Sequence, residues 1–166
     1  MRIRQIAKRD APNYIALCKK LDQETKFMML DPGERTTNLK EQKRFIQSLL
    51  DARNSMVFIA EHEDRLVGYL GAYGGEFRRN RHNAYLVIGI LQQFTGKGIG
   101  TALFTEMENW AKQAGIHRLE LTVMTHNIAG VSLYKKMGFT IEGIAKHSLL
   151  VDGNYVDEYY MAKILS

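Results

Sequence analysis

The sequence predicts an α+β protein, a mixed α/β sheet flanked by helices, on three observations. Segments with apolar residues at helical spacing are interleaved with shorter alternating or wholly apolar segments. Their order reads β, α, α, three strands, α, β, α, β, β, which is not the strict alternation of a doubly wound sheet. At 166 residues, 45 % hydrophobic and 25 % charged, the chain can bury a core without a disulfide or a metal.

Arg2 to Ile6 reads as a first short strand. Asp10-Ala11-Pro12 opens a helix, with Asp10 placed to cap it and Pro12 tolerated in its first turn. Tyr14, Leu17, Cys18 and Leu21 share its apolar face, which makes Cys18 a buried, inert thiol. Asp31-Pro32-Gly33 is a turn signal. The next helix carries Phe45, Ile46, Leu49 and Leu50 on one face and takes Thr37 or Asn38 as its cap. Met56 to Glu61 and Leu66 to Tyr73 read as strands joined by the polar hairpin His62-Glu63-Asp64-Arg65. Ala84 to Leu91 is almost wholly apolar, as suits a central strand covered on both faces. Leu103, Phe104, Met107, Trp110, Ala111 and Ala114 mark a long amphipathic helix ended by Gly115. Leu119, Leu121 and Val123 alternate with polar residues as a strand does. Ile128 to Met137 reads as a short helix ended by Gly138, and Phe139 to Glu142 and a pair around Asp152-Gly153 as the last strands.

Composition excludes several classes. A single Cys leaves no disulfide framework and no multi-Cys zinc or iron–sulfur site. No apolar run approaches the roughly 18 residues of a membrane span. The charged start Met1-Arg2-Ile3-Arg4-Gln5 is not followed by an apolar signal segment, so a cytoplasmic protein without membrane partners is expected. No repeat or linker divides the chain, and residues 1–166 are read as one domain. The net charge of +5 favours anionic partners without choosing among them. The densest basic run, Arg78-Arg79-Asn80-Arg81-His82, lacks the interleaved aromatics of a single-strand platform and reads as a solvated loop, so nucleic acid is not the expected partner.

The stretch Leu86-Val87-Ile88-Gly89-Ile90-Leu91-Gln92-Gln93-Phe94-Thr95-Gly96-Lys97-Gly98-Ile99-Gly100-Thr101 runs from a buried strand through alternating glycines into a helix. Glycines at this spacing let successive N–H groups face one concavity, and the helix N-terminus adds partial positive charge. The result is a phosphate seat. It is not a Walker loop, because Lys97 is followed by Gly98, and the third glycine comes too early for a dinucleotide fingerprint. Gly89 inside the strand signals either a bulge that frees backbone groups for an extended ligand or a packing glycine under a large neighbour.

These residues, followed by Ala102-Leu103 and then by Asn127 and Leu133-Tyr134-Lys135-Lys136-Met137-Gly138-Phe139, resemble the GCN5-related N-acetyltransferase (GNAT) superfamily. The end, Glu142-Gly143 and Val151-Asp152-Gly153-Asn154-Tyr155-Val156-Asp157-Glu158-Tyr159, is similar to the branch with ribosomal-protein-alanine and spermidine acetyltransferases. The resemblance implies the GNAT fold, acetyl-CoA as cosubstrate without a metal, and direct transfer of the acetyl group to a primary amine. It implies that the backbone of Ile88 and Ile90 pairs with the pantetheine arm and that the Ile90 N–H polarises the thioester carbonyl. It implies that the N–H groups of Gly96, Lys97, Gly98, Ile99, Gly100 and Thr101 hold the pyrophosphate, that Asn127 anchors the pantetheine side and that Tyr134 protonates the leaving thiolate. A homodimer follows only by analogy. Thr95 departs from the pattern, which usually has Arg or Gln there, and Lys97 can supply charge nearby.

The chemistry needs these roles. A neutral Tyr, with an ordinary pKa of about 10, is protonated at neutral pH and can serve the thiolate, while an ammonium acceptor must first lose a proton. The strand Tyr85 to Leu91 has no carboxylate. Glu24, Glu34, Glu76, His82 and His126 are the available bases and none is singled out. The acceptor is a small amine, a polyamine or a protein N-terminus, and Asp152, Asp157 and Glu158 are placed to attract a cationic one. The rival reading is a non-catalytic CoA-binding or interaction module of the same fold, against which Tyr134 argues.

Overall fold

In the computed structural model, which describes residues 1–166, the strand-patterned segments pair into one seven-stranded sheet. The strands are β1 (Arg2–Gln5), β2 (Ser55–His62), β3 (Arg65–Gly74), β4 (Asn83–Ile90), β5 (Arg118–Met124), β6 (Thr140–Val151) and β7 (Asn154–Ile164). They lie in the order β1-β2-β3-β4-β5-β7-β6. Every pairing is antiparallel except β4 with β5. The four helices are α1 (Ala11–Glu24), α2 (Leu39–Asp51), α3 (Ile99–Gln113) and α4 (Ile128–Lys136). The element order is the one the sequence predicts. No helix is long and apolar enough to cross a membrane.

Side-chain parity sets the layers. On one face of the sheet Gly89 lies under Leu21 of α1, and Tyr73 meets Phe45 of α2. On the other face Phe58 meets Trp110 of α3. Val57, Ile59, Leu70, Leu103, Phe104, Met107 and Leu119 are fully buried between these layers. Each such side chain contributes about 1.5–3 kcal/mol relative to exposure. Cys18 is buried in α1, and burial pushes its thiol up to about 11, which makes it inert as expected.

Local chemistry corrects three expectations and decides one alternative. Asp10 does not cap α1 with its side chain. Its carboxylate instead takes two hydrogen bonds from Arg4 and one from the Ala7 N–H, closing a 3-10 turn before the helix. Leu50 is 47 % exposed, and Gln42 is buried in α2 in its place. The strand expected to end at Glu142 continues to Val151, because two register shifts bend β6 and let it follow β7. Gly89 is a packing glycine: the β3–β4 register runs through it unbroken, with Tyr69 opposite. A Cβ there would stand 2.8 Å from Leu21 and 3.2 Å from the Tyr69 ring.

Of the two cap choices for α2, Asn38 is the one used: its side chain accepts from the Glu41 N–H at 2.8 Å. Asn38→Ala is expected to cost about 1 kcal/mol. A thermal melt should fall by roughly 2–4 °C.

Candidate active site

The site begins where two strands part. β4 and β5 run parallel for only three rungs, Asn83 to Tyr85 against Arg118 to Glu120. Beyond them β5 pairs only with β7. The Leu91 N–H bonds to Val67 on the β3 side. By the alternation of an antiparallel ladder, the odd-numbered residues of β4 serve β3 and the even-numbered ones face β5. The N–H and C=O groups of Ile88 and Ile90 therefore face the open wedge without a protein partner. Unpaired backbone groups of this kind are a template for an added extended chain.

The wedge leads to the start of α3. Gly96 and Gly98 have φ of +73° and +82°, and a Cβ on either would meet nothing within 4 Å. Only glycine holds this left-handed turn at no steric cost, so conformation rather than crowding requires them. Gly98 is the N-cap of α3 and supplies no side-chain cap. The N–H groups of Ile99, Gly100 and Thr101 are consequently left free at the positive end of the helix. Gly100 has a different task. A Cβ there would come within 2.8 Å of Leu133, so this glycine lets α4 approach α3.

Charge around this turn differs in part from expectation. The Lys97 ammonium lies 5.5 Å above the Phe94 ring. Lys136 of α4, which sequence reasoning missed, reaches the Thr101 hydroxyl at 3.4 Å. Its signal was the Lys135-Lys136 pair one turn before Gly138, read only as part of a motif. Thr95 donates its hydroxyl to the Gln92 carbonyl at 2.7 Å and closes the 3-10 turn ahead of the glycines.

Asn127 and Tyr134 come from the two ends of α4. The Asn127 side-chain oxygen caps that helix by accepting from the Gly130 N–H at 3.0 Å, which leaves its amide nitrogen unused. Tyr134 is buried, with its ring edge-on to Phe104 at 5.9 Å. Its hydroxyl has no partner within the chain. Burial first, and the nearby Tyr85 hydroxyl second, hold its pKa well above the usual value. It is a neutral donor across the physiological range.

On the α1 side of the parting, a cleft of about 360 Å³ is lined by Tyr85, Arg118, Glu120, Thr122, Glu142 and Tyr160 among others. The Tyr85 hydroxyl and the Thr122 hydroxyl are 2.7 Å apart, bridging the strands just past their last rung. Glu120 stands on that rung and accepts from Arg118 at 3.0 Å. Neither feature was singled out from the sequence, because strand pairing alone brings residues 85 and 120 together.

The bases considered from the sequence are dispersed. Glu24 faces the Gln92 N–H at 3.4 Å, and Glu34 caps the Asp31 N–H at 3.0 Å. The His126 ring rests against Phe27 at 5.2 Å, and the His82 ring faces that of His117 at 6.3 Å. Glu76 makes no side-chain hydrogen bond. The structure brings none of these into contact with Tyr134.

Comparison with known proteins follows the same lines. The model of the acetyltransferase (GNAT) family matches residues 18–139. An L-amino acid N-acetyltransferase of Escherichia coli is 34 % identical over 71 % of this chain and 74 % of its own length. A GNAT-family acetyltransferase from Streptococcus pneumoniae superimposes with a TM-score of 0.96 at 31 % identity, over 99 % of both chains. A ribosomal-protein-alanine N-acetyltransferase from Brucella melitensis superimposes at 0.86 with 25 % identity, over 99 % of this chain and 100 % of its own. An acetyltransferase from Salmonella typhimurium, solved with its cofactor acetyl-CoA, shares the fold at 0.89 and 20 % identity, over 100 % of this chain and 94 % of its own.

Replacing Gly98 with Val separates a ligand seat from a mere turn. Val is poor at positive φ and stiff at χ1, so it spoils the N–H concavity while leaving the core untouched. The dissociation constant for acetyl-CoA should rise by at least about tenfold with a melting temperature that moves only a few degrees. Unchanged affinity in the folded variant would reduce the loop to a turn.

Proposed function

The chain belongs to the GNAT family of N-acetyltransferases, and on that footing we propose that residues 1–166 form one domain that moves the acetyl group of acetyl-CoA to a primary amine by direct attack in a ternary complex. The observation that carries the reading is the unpaired edge of β4 leading to the free N–H groups at the start of α3. Each part fits its piece of the cosubstrate: an extended amide-bearing arm for the strand edge, and a pyrophosphate for the helix N-terminus. Acetyl-CoA supplies an activated thioester carbonyl when bound.

The residues of the chain do the rest. The Ile88 and Ile90 backbone orients the arm, and the Ile90 N–H donates to the carbonyl oxygen as it gains charge. Gly96, Lys97, Gly98, Ile99, Gly100 and Thr101 present N–H groups to the pyrophosphate, with the Lys136 charge alongside. The Asn127 amide nitrogen holds the far side of the arm. Tyr134 gives its proton to the leaving thiolate. No base within the chain is assigned, and the acceptor attacks as its free-base fraction. A buried, unreactive Cys18 suits the reducing cytoplasm in which we place the protein.

Acetyl-CoA should raise the melting temperature progressively with concentration, by about 2.7 kcal/mol of added stability at 100 times its dissociation constant. A desulfo analogue should do the same, because the seat does not use the sulfur. No shift at millimolar ligand would remove the reading.

Tyr134→Phe removes one hydroxyl and leaves the ring. Turnover should fall about 100-fold or more, while affinity for acetyl-CoA changes little. Wild-type turnover where chemistry limits the rate would take the acid role from Tyr134.

The pH profile has a definite sign. For an acceptor of ordinary amine pKa, turnover should rise about tenfold per pH unit toward that pKa, because only the free base attacks. The raised pKa of Tyr134 keeps the acid protonated, so no falling limb should appear below about pH 10. A fall between pH 7 and 9 would contradict this assignment of the proton donor.

A further inference from the structure

The segment between α1 and α2 lies across the acceptor side of the wedge. Phe27 rests on His126, next to Asn127, and Lys26 meets Asp152 at the tip of the β6–β7 hairpin at 3.4 Å. Within this segment stands Arg35. Its Nε and Nη2 donate to the two oxygens of Asp22 at 2.7 and 3.1 Å. The Asp22 side chain is only 2 % exposed, whereas that of Arg35 is 22 % exposed. A buried carboxylate that both anchors a guanidinium fork and takes no other bond fixes the plane of the arginine. Nη1 is left without a protein partner.

The ladder and the α1 packing give the position of this pair. Asp22, which holds Arg35, follows Leu21, whose side chain lies over Gly89 between Ile88 and Ile90 of β4. Tyr69 sits opposite Gly89 in the ladder and packs over it. The Asp22–Arg35 pair is therefore on the α1 side of the sheet, near the Ile88-Gly89-Ile90 stretch of β4.

The acids placed nearby have partners of their own. Asp152 meets Lys26, Asp157 accepts from the His147 N–H, and Glu158 accepts from the Ser148 hydroxyl. Glu34 is spent on the Asp31 N–H. An anion finds in the Arg35 guanidinium a donor whose orientation is already set.

We propose that Arg35, held by Asp22, is an anchor for the carboxylate of the acceptor, so that the acceptor is a free α-amino acid rather than a polyamine or a protein N-terminus. This rests on the acetyltransferase reading. Arg35 is a substrate-positioning residue, and Asp22 acts through it.

The test compares L-amino acids with their matching α-amides and with spermidine on the unmodified protein, followed by thiol release from acetyl-CoA. The amide amines are less basic, hence more available as free base, and mimic a protein N-terminus, so chemistry alone favours them. The proposal expects the amino acids to lead in kcat/KM by about 10- to 100-fold, the scale of a charge-assisted hydrogen bond. R35Q should erase that lead through KM for the amino acid, with KM for acetyl-CoA unchanged. Should R35Q unfold because Asp22 is stranded, the paired D22N/R35Q variant removes both charges together and is read the same way. Amides or spermidine equal to or ahead of amino acids overturn the proposal. A lead that survives loss of the guanidinium overturns it as well. If the protein binds acetyl-CoA yet acetylates no member of the panel, the acetyltransferase reading falls and takes the anchor with it, whereas turnover of amides alone removes only the anchor.

Discussion

The parting of β4 from β5 after three rungs is the constraint on which the rest of the structure depends. A parallel pair inside a sheet normally continues to the end of the shorter strand, because each abandoned rung leaves a donor and an acceptor unpaired. Here β4 gives up that side beyond Leu86, and β5 is held instead by seven pairings to β7. Tyr85 and Thr122 stitch the strands once more through their hydroxyls and then the gap opens. Everything proposed for the chemistry sits along that gap. The backbone groups of Ile88 and Ile90 line it, α3 starts at its end, and α4, which carries Tyr134, packs on α3 there through Leu133. Unpaired backbone in a sheet is costly unless a ligand or water completes it, which is the physical ground for proposing an extended ligand here.

The glycines around the gap divide by physical cause. Gly96 and Gly98 are required by positive φ in open space, whereas Gly89 and Gly100 are required by close neighbours at ordinary dihedrals. The first pair shapes the N–H concavity. The second pair brings α1 down on β4 and α4 onto α3. One pattern of alternating glycines thus serves conformation at two positions and packing at a third, Gly100. The packing role of Gly100 ties the seat to the position of Tyr134, because Leu133, its neighbour in sequence, is the side chain that fills the space.

Much of this was legible in the sequence because it rests on local chemistry. Helical spacing placed α1 to α4, the apolar run placed β4, and the Asn38 cap was one of two choices adjacent to the right boundary. The glycine turn was legible for the same reason: φ preference belongs to the residue. What escaped depended on contacts distant in sequence. The continuation of β6 beyond Glu142 needs β7 beside it and two register shifts. The Gly89 alternatives were decided by Leu21, some seventy positions away. Lys136 reaches Thr101, and Glu120 joins Tyr85, only once α3, α4 and the sheet are assembled. Asp10 looked like a helix cap and became a partner for Arg4, because a buried carboxylate beside a guanidinium gains more from two charged hydrogen bonds than from one backbone N–H.

The acceptor side follows a different logic from the cosubstrate side. Along the wedge the chain offers backbone, which reads shape and polarity and tolerates changes of side chain. Across the wedge it offers side chains on a connecting segment, tied at Phe27, Lys26 and Arg35 to three separate elements. Each tie alone is weak, since exposed pairs such as Lys26 with Asp152 contribute at most about 1 kcal/mol. Asp22 with Arg35 is the exception, because the carboxylate is buried and its loss of hydration is offset only while the guanidinium stays in place. That pair therefore fixes the segment and, in the same geometry, leaves one guanidinium nitrogen without a protein partner. A residue kept in position by fold stability and left with unused donor capacity is well suited to select a substrate, because its orientation is set before the substrate arrives.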